Sequence, residues 1–432
     1  MNEAVPKIEG HAAFYAHLRA GRVDEARVIG LENDRFVEKI LFGRKFYEAP
    51  IITSRICGIC PTIHSTTSIK AIEDACSINP TKQTEKLRKL LLCGQMIQSH
   101  SLHLYLLVLP DFVGVSSSFE LQKSHPELFL NAINLKRYAD AIIDTIGGRA
   151  VHPISDVPGG FKHFPEKKRL ISLINDFQDI AEIARKTVEL FAGFSYPEVK
   201  QDVIYCALSS KDYAFYDGEI KTSSGNKFQS KSYRGQIYEE LRHYTRAKFG
   251  TLKGEEMMVG AMARMNLNRD LMGKEVMALI DAVILNSFQD PDSGSQVTGR
   301  NDKFLFDNPF DNILAQAVEN YYFVLQSMKL IHYFIGEGID KKEPVKPPKK
   351  FGTGTAACEA PRGTLYHHYE LDKEGYIVGC DIITPTVQNL PALEKDMKKL
   401  SPIIKDKDSE ERAKTIEMLI RAYDPCITCA TH

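Results

Sequence analysis

Two Cys-x-x-Cys pairs stand at opposite ends of this sequence, and they constrain its fold more than any other feature. The first pair is Cys57 and Cys60, and the second is Cys426 and Cys429. A gap of two residues lets both sulfur atoms of a pair reach one metal, so two pairs can form a four-sulfur site. Thiolates favour zinc, nickel, iron or an iron–sulfur cluster. If one centre takes all four thiols, the fold must bring the two ends of the chain together.

Two simpler interpretations of these pairs remain open from the residues alone. A structural zinc site usually collects its Cys pairs within one short module, whereas most of the chain separates these two. A redox motif of the thioredoxin type lies near a βαβ pattern, whereas the second pair stands close to His432, the last residue. Taken together, the two pairs favour a buried active-site metal over either interpretation.

Charge and hydropathy exclude several classes of partner. Lys and Arg total 55 against 56 Asp and Glu, so no basic excess favours nucleic acid or an anionic membrane surface. The N-terminal segment lacks the order of an export signal, and apolar runs such as 102–109 are too short to span a bilayer. The 9 cysteines are too few for a disulfide scaffold. We therefore expect a soluble, cytoplasmic protein whose thiols are free or metal-bound.

The hydrophobic pattern predicts an α+β fold that is mainly helical, with small β elements contributed by both ends of the chain. Pro61 stands where a helix would begin, and Pro110-Asp111 should end a long helix. Helices are predicted at 81–109 and at about 127–147, 166–193, 233–247, 271–288, 309–336, 389–400 and 409–422.

Strand material is expected in both terminal parts. Ile8–Arg44 alternates apolar and polar residues around a turn at Ala20-Gly21 and then becomes amphipathic. The polar, turn-rich stretch 203–232 favours a hairpin excursion from the helical body. Residues 340–350 have the composition of a surface linker, and Gly363–Ile383 reads as two strands.

The residues around the two Cys pairs carry a family resemblance. R-x-C-G-x-C and D-P-C-x-x-C-x-x-H resemble the paired signatures of nickel–iron hydrogenase large subunits, and the resemblance covers the whole chain. It also includes these motifs, in the family's order: IEGH (8–11), SHSLHLY (99–105), GGRAVHP (147–153) and EAPRGTL (359–365). RGTL, GGRxxHP and the CATH ending look most like the cytosolic bidirectional, cofactor-coupled branch.

The resemblance implies a fold and an activity. The fold would be one catalytic domain over residues 1–432 with a long-helix bundle core. Its parts would be a β-rich N-terminal part at about 1–50, a helical body at about 60–340 and a β/α part at about 351–432. The activity would be reversible heterolytic oxidation of dihydrogen to protons and electrons.

The resemblance also implies the cofactor and its ligands. Cys57 and Cys426 would be terminal nickel ligands, while Cys60 and Cys429 would bridge nickel to an iron that carries CO and cyanide. Thiolate-rich coordination suits a soft nickel ion, and the protein's part is to hold the geometry and to provide a proton acceptor. Cys426 is the better candidate for that acceptor.

Four more residues match family positions around the metals. Glu9 would be the next proton carrier, and an acid there needs a tuned pKa. Arg362 would bond to the diatomic ligands of iron through its fixed guanidinium fork. His64 would donate to Cys429, and Asp424 would orient Arg362. Without the motifs, each has an ordinary alternative as a surface, core or turn residue.

A third metal site is implied at the C-terminal end. Glu38, His432 and the carbonyl of Ile382 would bind magnesium or iron, since oxygen ligands with one imidazole suit a hard octahedral ion. An end at His432 also looks like the form left after a specific C-terminal endoprotease has acted, or like a form that never had an extension.

Other polar and sulfur-containing residues receive lesser roles. Ser99, His100 and His103 share a helix, with the two His three positions apart on one face. Their spacing alone would allow a metal site, but the family role is hydrogen bonding around the metals. The remaining cysteines are expected to be buried or partly buried free thiols: Cys76, Cys93, Cys206, Cys358 and Cys380.

Partners follow from the route of the electrons. No spare cysteine cluster is available for an iron–sulfur chain, so an iron–sulfur small subunit is required. Diaphorase or other electron-transfer subunits that reduce NAD(P), and maturation proteins that build the metal centre, are implied with it. Alternatives are a regulatory dihydrogen sensor, a metal-free respiratory-complex subunit and a structural zinc protein. The sensor branch resembles the uptake hydrogenases, which this chain resembles less, and the respiratory subunits have lost the Cys pairs.

Overall fold

Long helices packed side by side form the centre of the molecule. The computed structural model describes residues 1–19, 22–213, 215–285 and 305–432. The helix Lys82–Leu102 lies between Pro126–Gly147 and Asp311–Glu337. Thr81 caps its first turn, because the side-chain oxygen accepts a hydrogen bond from the Thr84 amide. This arrangement confirms the predicted long-helix core.

A glycine sets the distance between two of these helices. A Cβ atom at Gly94 would lie 2.8 Å from the Ile143 side chain and 3.1 Å from the Ala139 carbonyl oxygen. Only a residue without a side chain permits this approach. The core helices therefore pack closely beside the segment that carries Ser99 and His103.

The N-terminal strands form an antiparallel sheet. Asn2–Val5 pairs with Ala12–Arg19, which pairs with Arg22–Gly30. Side chains of Ala12–Arg19 alternate between buried and more exposed positions at first, as a half-buried strand requires. The predicted strands are confirmed, and the expected turn at Ala20-Gly21 lies outside the described residues.

A second antiparallel sheet comes from the C-terminal part. Its strands are Thr353–Ala360, Gly363–Leu371 and Ile377–Ile383, with Gly363–Leu371 in the middle. The latter two were predicted and the first was not. The sheet packs against the helix Pro61–Ala75, where a Cβ atom at Gly354 would lie 2.2 Å from the Ala71 carbonyl oxygen. This contact places the first Cys pair beside the C-terminal sheet.

The stretch from 203 to 258 forms small sheets at the edge of the body. The strands Ile204–Ser209, Glu219–Thr222 and Lys227–Phe228 confirm the predicted hairpin excursion. The helix predicted at 233–247 is wrong, because Ile237–Leu241 is a strand paired with Lys248–Leu252. Leu241 shows why: its side chain is 78% exposed, so the apolar residues at helical spacing do not share one buried face.

Other helix boundaries differ from the sequence prediction. The long helix loosens into a π-helical turn at His103–Val108 and continues through Leu109–Phe112. Pro110 does not end it, because proline is tolerated in the first turn of a helical segment. The segment predicted at 166–193 divides at Asp176, and that at 271–288 is described only to Leu285.

The remaining helices and strands connect these parts. Their bounds are Val37–Leu41, Phe46–Glu48, Ala49–Thr53, Ser54–Ile56, Ser118–Ser124, Asp156–Val157, Gly160–Phe161, Lys167–Asn175, Phe177–Ala192, Ser230–Gly235, Met257–Met258, Ala261–Asn268, Arg269–Leu271, Lys274–Leu279, Ile280–Leu285, Pro385–Lys399, Ser401–Ile404, Ser409–Ala422 and Ile427–Ala430. Residues 340–350 contain no helix or strand, as predicted for a linker. No helix within the described ranges is both long and apolar enough to cross a bilayer.

Candidate metal centre

The first Cys pair lies in a tight loop between helical segments. Cys57 follows the turn Ser54–Ile56, and Cys60 directly precedes the helix Pro61–Ala75. Pro61 suits the first helical position because it has no amide proton to leave unpaired. Gln95 fixes the loop by donating to the Ile59 carbonyl at 2.7 Å. Helix start and loop together aim both thiols into the interior.

The second pair is held against the N-terminal segment. Glu9 and Cys426 form a parallel β-bridge, and the Ile427 amide donates to the Glu9 carbonyl at 3.0 Å. A Cβ atom at Gly10 would lie 3.0 Å from the Ile427 side chain, and Gly10 has a φ of +79°. Glycine is therefore needed at this position of the IEGH motif, since it lets the two segments touch.

The four thiols form one cluster. Their Sγ atoms all lie within 4.8 Å of one another, although the pairs come from opposite ends of the sequence. The Sγ–Sγ distances are 3.5 Å for Cys57–Cys426, 3.5 Å for Cys60–Cys429 and 2.7 Å for Cys426–Cys429. Each residue is at most 4% exposed, and no disulfide joins them. The cluster is a buried tetrad of sulfur donors.

The pKa values of the four thiols indicate whether the protein alone can keep them ionised. Hydrogen bonding, chiefly from Cys426, holds the pKa of Cys57 well below its usual value. Burial raises the pKa of Cys426 and of Cys429 well above theirs. Protein groups alone therefore cannot keep all four sulfurs ionised at neutral pH. A soft cation among them would supply the missing positive charge and displace the protons, so the donor set fits a thiolate-bound metal.

A small gap lies beside the tetrad. It borders Cys426 as well as Cys60 and Cys429, the two predicted bridging residues. Its other walls include Pro361, Arg362 and Thr386. No other group of His, Cys, Asp and Glu side chains in the described ranges converges in this way. His100 and His103 therefore do not form the metal site that their spacing allowed.

Glu9 contacts the tetrad on one side. The Cys426 thiol donates to Glu9 Oε2 at 2.9 Å, and the Thr428 hydroxyl donates to Glu9 Oε1 at 2.6 Å. Burial raises the pKa of Glu9 above its usual value, and the charge of Cys57 acts in the same direction. The carboxyl group therefore holds a proton more readily than a surface glutamate does.

Arg362 lies against the tetrad and is fixed by Asp424. Its Nη2 and Nε donate to the Asp424 carboxylate and carbonyl oxygens at 2.7 and 2.8 Å. Its Nη1 lies 3.4 Å from the Ser99 hydroxyl oxygen. Asp424 has a φ of +50°, so its backbone occupies the left-handed region. Turn and ion pair together orient the guanidinium group towards the gap.

The other carboxylate oxygen of Asp424 has a partner that the sequence did not reveal. Gln316 Nε2 donates to it at 3.0 Å, and Gln316 is held by His103. His103 in turn contacts the Arg421 carbonyl oxygen at 2.7 Å. Gln316 lies on the helix Asp311–Glu337, outside every motif, so no sequence signal pointed to it.

His100 faces away from the thiols. Its Nε2 lies 3.0 Å from Glu319 Oε2, and Glu319 pairs with Arg264 through two contacts of 2.6 Å. Arg264 also donates to the carbonyls of Ala360 at 2.9 Å and Pro361 at 3.1 Å. This fully buried ion-pair network thus supports the turn from which Arg362 projects.

His64 contacts a different thiol of the tetrad from the one that Glu9 contacts. Its Nε2 is 3.5 Å from Cys429 Sγ, and its Nδ1 is 3.4 Å from Nε2 of His367. Burial lowers the pKa of His64 to about 3, so the ring is neutral. His367 follows the EAPRGTL motif by two residues, and its position in the same strand was the one available signal for it.

The residues predicted to form a third metal site lie near one another. His432 Nε2 lies 3.0 Å from the Ile382 carbonyl oxygen and 3.8 Å from Glu38 Oε1. Although burial opposes ionisation, neighbouring His432 and Lys248 lower the pKa of Glu38 to about 2. An ionised carboxylate, a carbonyl oxygen and an imidazole here match the ligands that a hard cation prefers.

The remaining cysteines are not paired with one another. Cys380 is half-buried and the others are buried, and all are free thiols: Cys76, Cys93, Cys206, Cys358 and Cys380. Burial raises the pKa of Cys93 above its usual range, which makes such a thiol unreactive.

Comparison with known proteins assigns the chain to a family. The family model described as nickel-dependent hydrogenase matches residues 35–128 and 200–432. The chain belongs to the nickel-dependent hydrogenases. It is 34% identical to sulfhydrogenase 1 subunit alpha of Pyrococcus furiosus, over 99% of this chain and 96% of that protein. It is 26% identical to the NAD-reducing hydrogenase HoxS subunit beta of Cupriavidus necator, over 100% and 94%.

Solved hydrogenase structures share the fold. An NAD⁺-reducing [NiFe]-hydrogenase superimposes with a TM-score of 0.85 at 25% identity, over all of this hydrogenase and 99% of that chain. The Ni-Fe-Se hydrogenase of D. vulgaris Hildenborough matches with a TM-score of 0.78 at 22% identity, which supports the fold alone. The expected mainly helical hydrogenase fold is confirmed.

Family membership decides among the earlier interpretations. This hydrogenase chain is a catalytic large subunit, an oxidoreductase that acts on dihydrogen at a nickel–iron centre. The structural zinc protein and the metal-free respiratory subunit are thereby set aside. Its relatives are subunits of larger hydrogenases, so the chain works with partner subunits.

Proposed function

We propose that this hydrogenase oxidises dihydrogen reversibly and passes the electrons through an iron–sulfur small subunit to a soluble carrier such as NAD(P). The observation that carries the proposal is the meeting of four buried thiols from both ends of the chain. The nickel–iron group, with CO and cyanide on its iron, supplies the site where dihydrogen is cleaved heterolytically. The chain's own residues hold this group, accept the proton and exclude water.

Each thiol receives a distinct task. Cys57 and Cys426 would hold nickel, and Cys60 and Cys429 would hold both nickel and iron. The small gap beside the tetrad borders Cys60 and Cys429 together with Cys426. Arg362 lines the same gap, and its fixed guanidinium group offers donors to cyanide on iron. Because the surrounding walls are buried, these interactions act in a medium where charge is poorly screened.

Proton transfer begins on the Glu9 side of the tetrad. Cys426 Sγ accepts the proton and passes it to Glu9 Oε2, which lies 2.9 Å away. The Thr428 hydroxyl keeps the carboxyl group in place through its bond to Oε1. Glu9 is only partly buried, so it can hand the proton towards the surface. The 2.9 Å between Cys426 Sγ and Glu9 Oε2 is within the range for direct proton transfer between a thiol and a carboxylate.

The C-terminal site completes the metal content of the proposal. Glu38, His432 and the Ile382 carbonyl bind magnesium or iron. Their mutual distances of 3.0 and 3.8 Å fit neighbouring ligands of one small ion. His432 Nδ1 also contacts the Cys429 carbonyl oxygen at 2.6 Å. An ion here would therefore stiffen the segment that carries the second Cys pair.

The electrons require a partner surface. Exposed apolar side chains lie on the segment that precedes Cys57 in the sequence and on a second segment: Tyr47, Ile51, Val151 and Ile154. His152 joins the two segments that carry them, since its Nδ1 lies 3.0 Å from the Ser54 carbonyl oxygen. We assign this patch to the iron–sulfur small subunit, which would place its cofactor near the first Cys pair.

The wider assembly follows the named relatives. A diaphorase or another electron-transfer subunit would link the small subunit to NAD(P), as the name of the NAD-reducing relative indicates for that protein. We expect such an NAD(P)-linked complex to work in the cytoplasm. Maturation proteins would load the site, and a C-terminal endoprotease would act after nickel insertion. The whole chain acts as a single catalytic domain, because both ends contribute to one cluster.

Infrared spectroscopy and metal analysis test the proposal. The purified complex should contain nickel and iron in equal amounts at the centre and should show CO and cyanide stretching bands. It should also reduce a dye under dihydrogen, which a sensor does poorly. Zinc alone, without these bands, would refute the nickel–iron centre. Bands without dye reduction would support the sensor instead.

A further inference from the structure

A chain of buried polar side chains continues inward from the Cys429 side of the tetrad. His64 contacts Cys429 and, 3.4 Å away, His367. His367 Nδ1 then lies 2.9 Å from the Tyr369 hydroxyl oxygen, which lies 2.8 Å from the Ser68 hydroxyl oxygen. All four of these side chains beyond Cys429 are at most 1% exposed. We name His64, His367, Tyr369 and Ser68 the inner chain.

Two secondary-structure elements build the inner chain by their natural periodicities. His64 and Ser68 are four residues apart on the helix Pro61–Ala75, so they share one helix face. His367 and Tyr369 are two residues apart on the strand Gly363–Leu371, so they share one strand face. The helix packs on the sheet at backbone contact distance near Gly354. The two faces therefore interlock, and neither pair can move without the other.

The directions of the hydrogen bonds follow from the first acceptor. A metal-bound thiolate has no proton, so Cys429 can only accept, and His64 Nε2 must carry the hydrogen. A neutral imidazole has one N–H, so His64 Nδ1 accepts from His367 Nε2. By the same rule, His367 Nδ1 accepts from the Tyr369 hydroxyl group. Ser68 then donates to the Tyr369 oxygen.

The rings of the inner chain stay neutral. Their contacts in the chain are to each other, to Cys429 and to hydroxyl groups, and none of these contacts is with a carboxylate. Burial lowers the pKa of His367 well below its usual value. Each donor therefore reinforces the next, because hydrogen bonds linked in series polarise one another in an interior of low dielectric constant. The sum of this polarisation acts on the sulfur of Cys429.

We propose that His367 and Tyr369 are positioning residues that lock His64 in the tautomer that donates to Cys429 and so withdraw electron density from this bridging sulfur. The inference rests on the proposed nickel–iron centre and deepens it. A thiolate that donates less leaves less electron density on iron. Back-donation from iron into CO is then weaker, and the CO stretching band stands at higher wavenumber than it would without the inner chain.

Tyr369→Phe in the assembled holoenzyme tests the proposal. The change removes one hydroxyl group, frees His367 to take its other tautomer and should shift the CO band to lower wavenumber. Activity should fall by about 10-fold, the smaller end of what the loss of a group around a metal ligand costs. Tyr366→Phe is the matched control. Tyr366 is equally buried on the same strand but belongs to the opposite face, so its variant should keep the wild-type band.

A second variant guards against loss of folding. Ser68→Ala removes only the last donor, so its CO band should move in the same direction by a smaller amount. The proposal is overturned if Tyr369→Phe loads nickel and iron normally and its CO band matches that of Tyr366→Phe. If Tyr369→Phe does not load metal, an unmoved band in Ser68→Ala overturns it. Absence of CO and cyanide bands from the wild type would instead refute the nickel–iron centre itself.

Discussion

The two sides of the thiol tetrad are built from different chemistry. On one side, Cys426 contacts Glu9, a partly buried carboxyl group that also accepts from the Thr428 hydroxyl. On the other side, Cys429 faces His64 and the inner chain, which is neutral and sealed from solvent. A group that must exchange protons needs a titratable neighbour and a way out. A group that sets electron density needs fixed donors that do not titrate.

This contrast divides the work of the active site. The outer side, Cys426 with Glu9 and Thr428, is arranged to carry protons. The inner side tunes the sulfur that bridges the metals. Variants on the outer side should therefore change turnover and leave the infrared spectrum alone, whereas variants of the inner chain should change the spectrum. The following changes test that division, beginning with the largest effect.

Single Cys→Ser substitutions should distinguish the proposed terminal nickel ligands from the proposed bridging ligands. Cys429→Ser should lose both metals and all activity, because it removes one of the two sulfurs proposed to hold both metals. Cys426→Ser should lose nickel and activity while iron is retained to a larger extent. Metal analysis of purified complexes measures both, and Cys76→Ser, which changes a buried free thiol, is the control. Equal metal loss in both cysteine variants would contradict the assigned roles.

Glu9→Gln should abolish most proton transfer and leave the metals in place. An amide cannot exchange the proton of Cys426, and losing a general acid–base group lowers rates by about 10²- to 10⁴-fold. Dye reduction under dihydrogen and isotope exchange with deuterium both report the loss. The exposed strand residue Glu3 provides the control Glu3→Gln. Wild-type turnover in Glu9→Gln would remove Glu9 from the proton path.

Arg362→Lys should affect the gap where both sides meet. Lysine keeps the charge but cannot donate to the Asp424 carboxylate and carbonyl through a planar fork. We expect activity about 10- to 100-fold lower, with shifted cyanide bands. Arg185→Lys, at a partly exposed helix position, should behave as wild type. Unchanged cyanide bands would mean that Arg362 does not reach the iron ligands.

Thr428→Val should have the smallest effect and should discriminate between the two sides most clearly. It removes one hydrogen bond to Glu9, worth about 1 kcal/mol, which corresponds to about 5-fold in rate. Its CO band should stay at the wild-type position, unlike that of Tyr369→Phe. The helix residue Thr415 gives the control Thr415→Val. A shifted CO band in Thr428→Val would show that the outer side also controls the electrons.

Much of this molecule follows from local sequence signals. Apolar periodicity predicts helices such as Asp311–Glu337, and Pro61 indicates the helix start after Cys60. The Cys pairs indicate a shared site because their short spacing has one main chemical use. The strand Ile237–Leu241 could not be predicted from its own residues, because pairing with a neighbouring strand overrides their helix-like pattern.

The supporting residues of the site were harder to foresee for the same reason. Gln316, His367 and Tyr369 act through contacts with residues far away in the sequence. Their own surroundings in the chain resemble those of any buried helix or strand. The four side chains of the inner chain come into contact only because the helix Pro61–Ala75 packs on the C-terminal sheet. That packing cannot be predicted from a single sequence.

The central claim is that thiols from both ends of the chain enclose one nickel beside one iron. Crystallography of the assembled enzyme, with anomalous data collected at the nickel and iron edges, addresses it directly. We predict adjacent nickel and iron peaks between the sulfurs of Cys57, Cys60, Cys426 and Cys429, with iron on the side of Cys60 and Cys429. A single zinc peak, or metals bound by each Cys pair separately, would contradict the account.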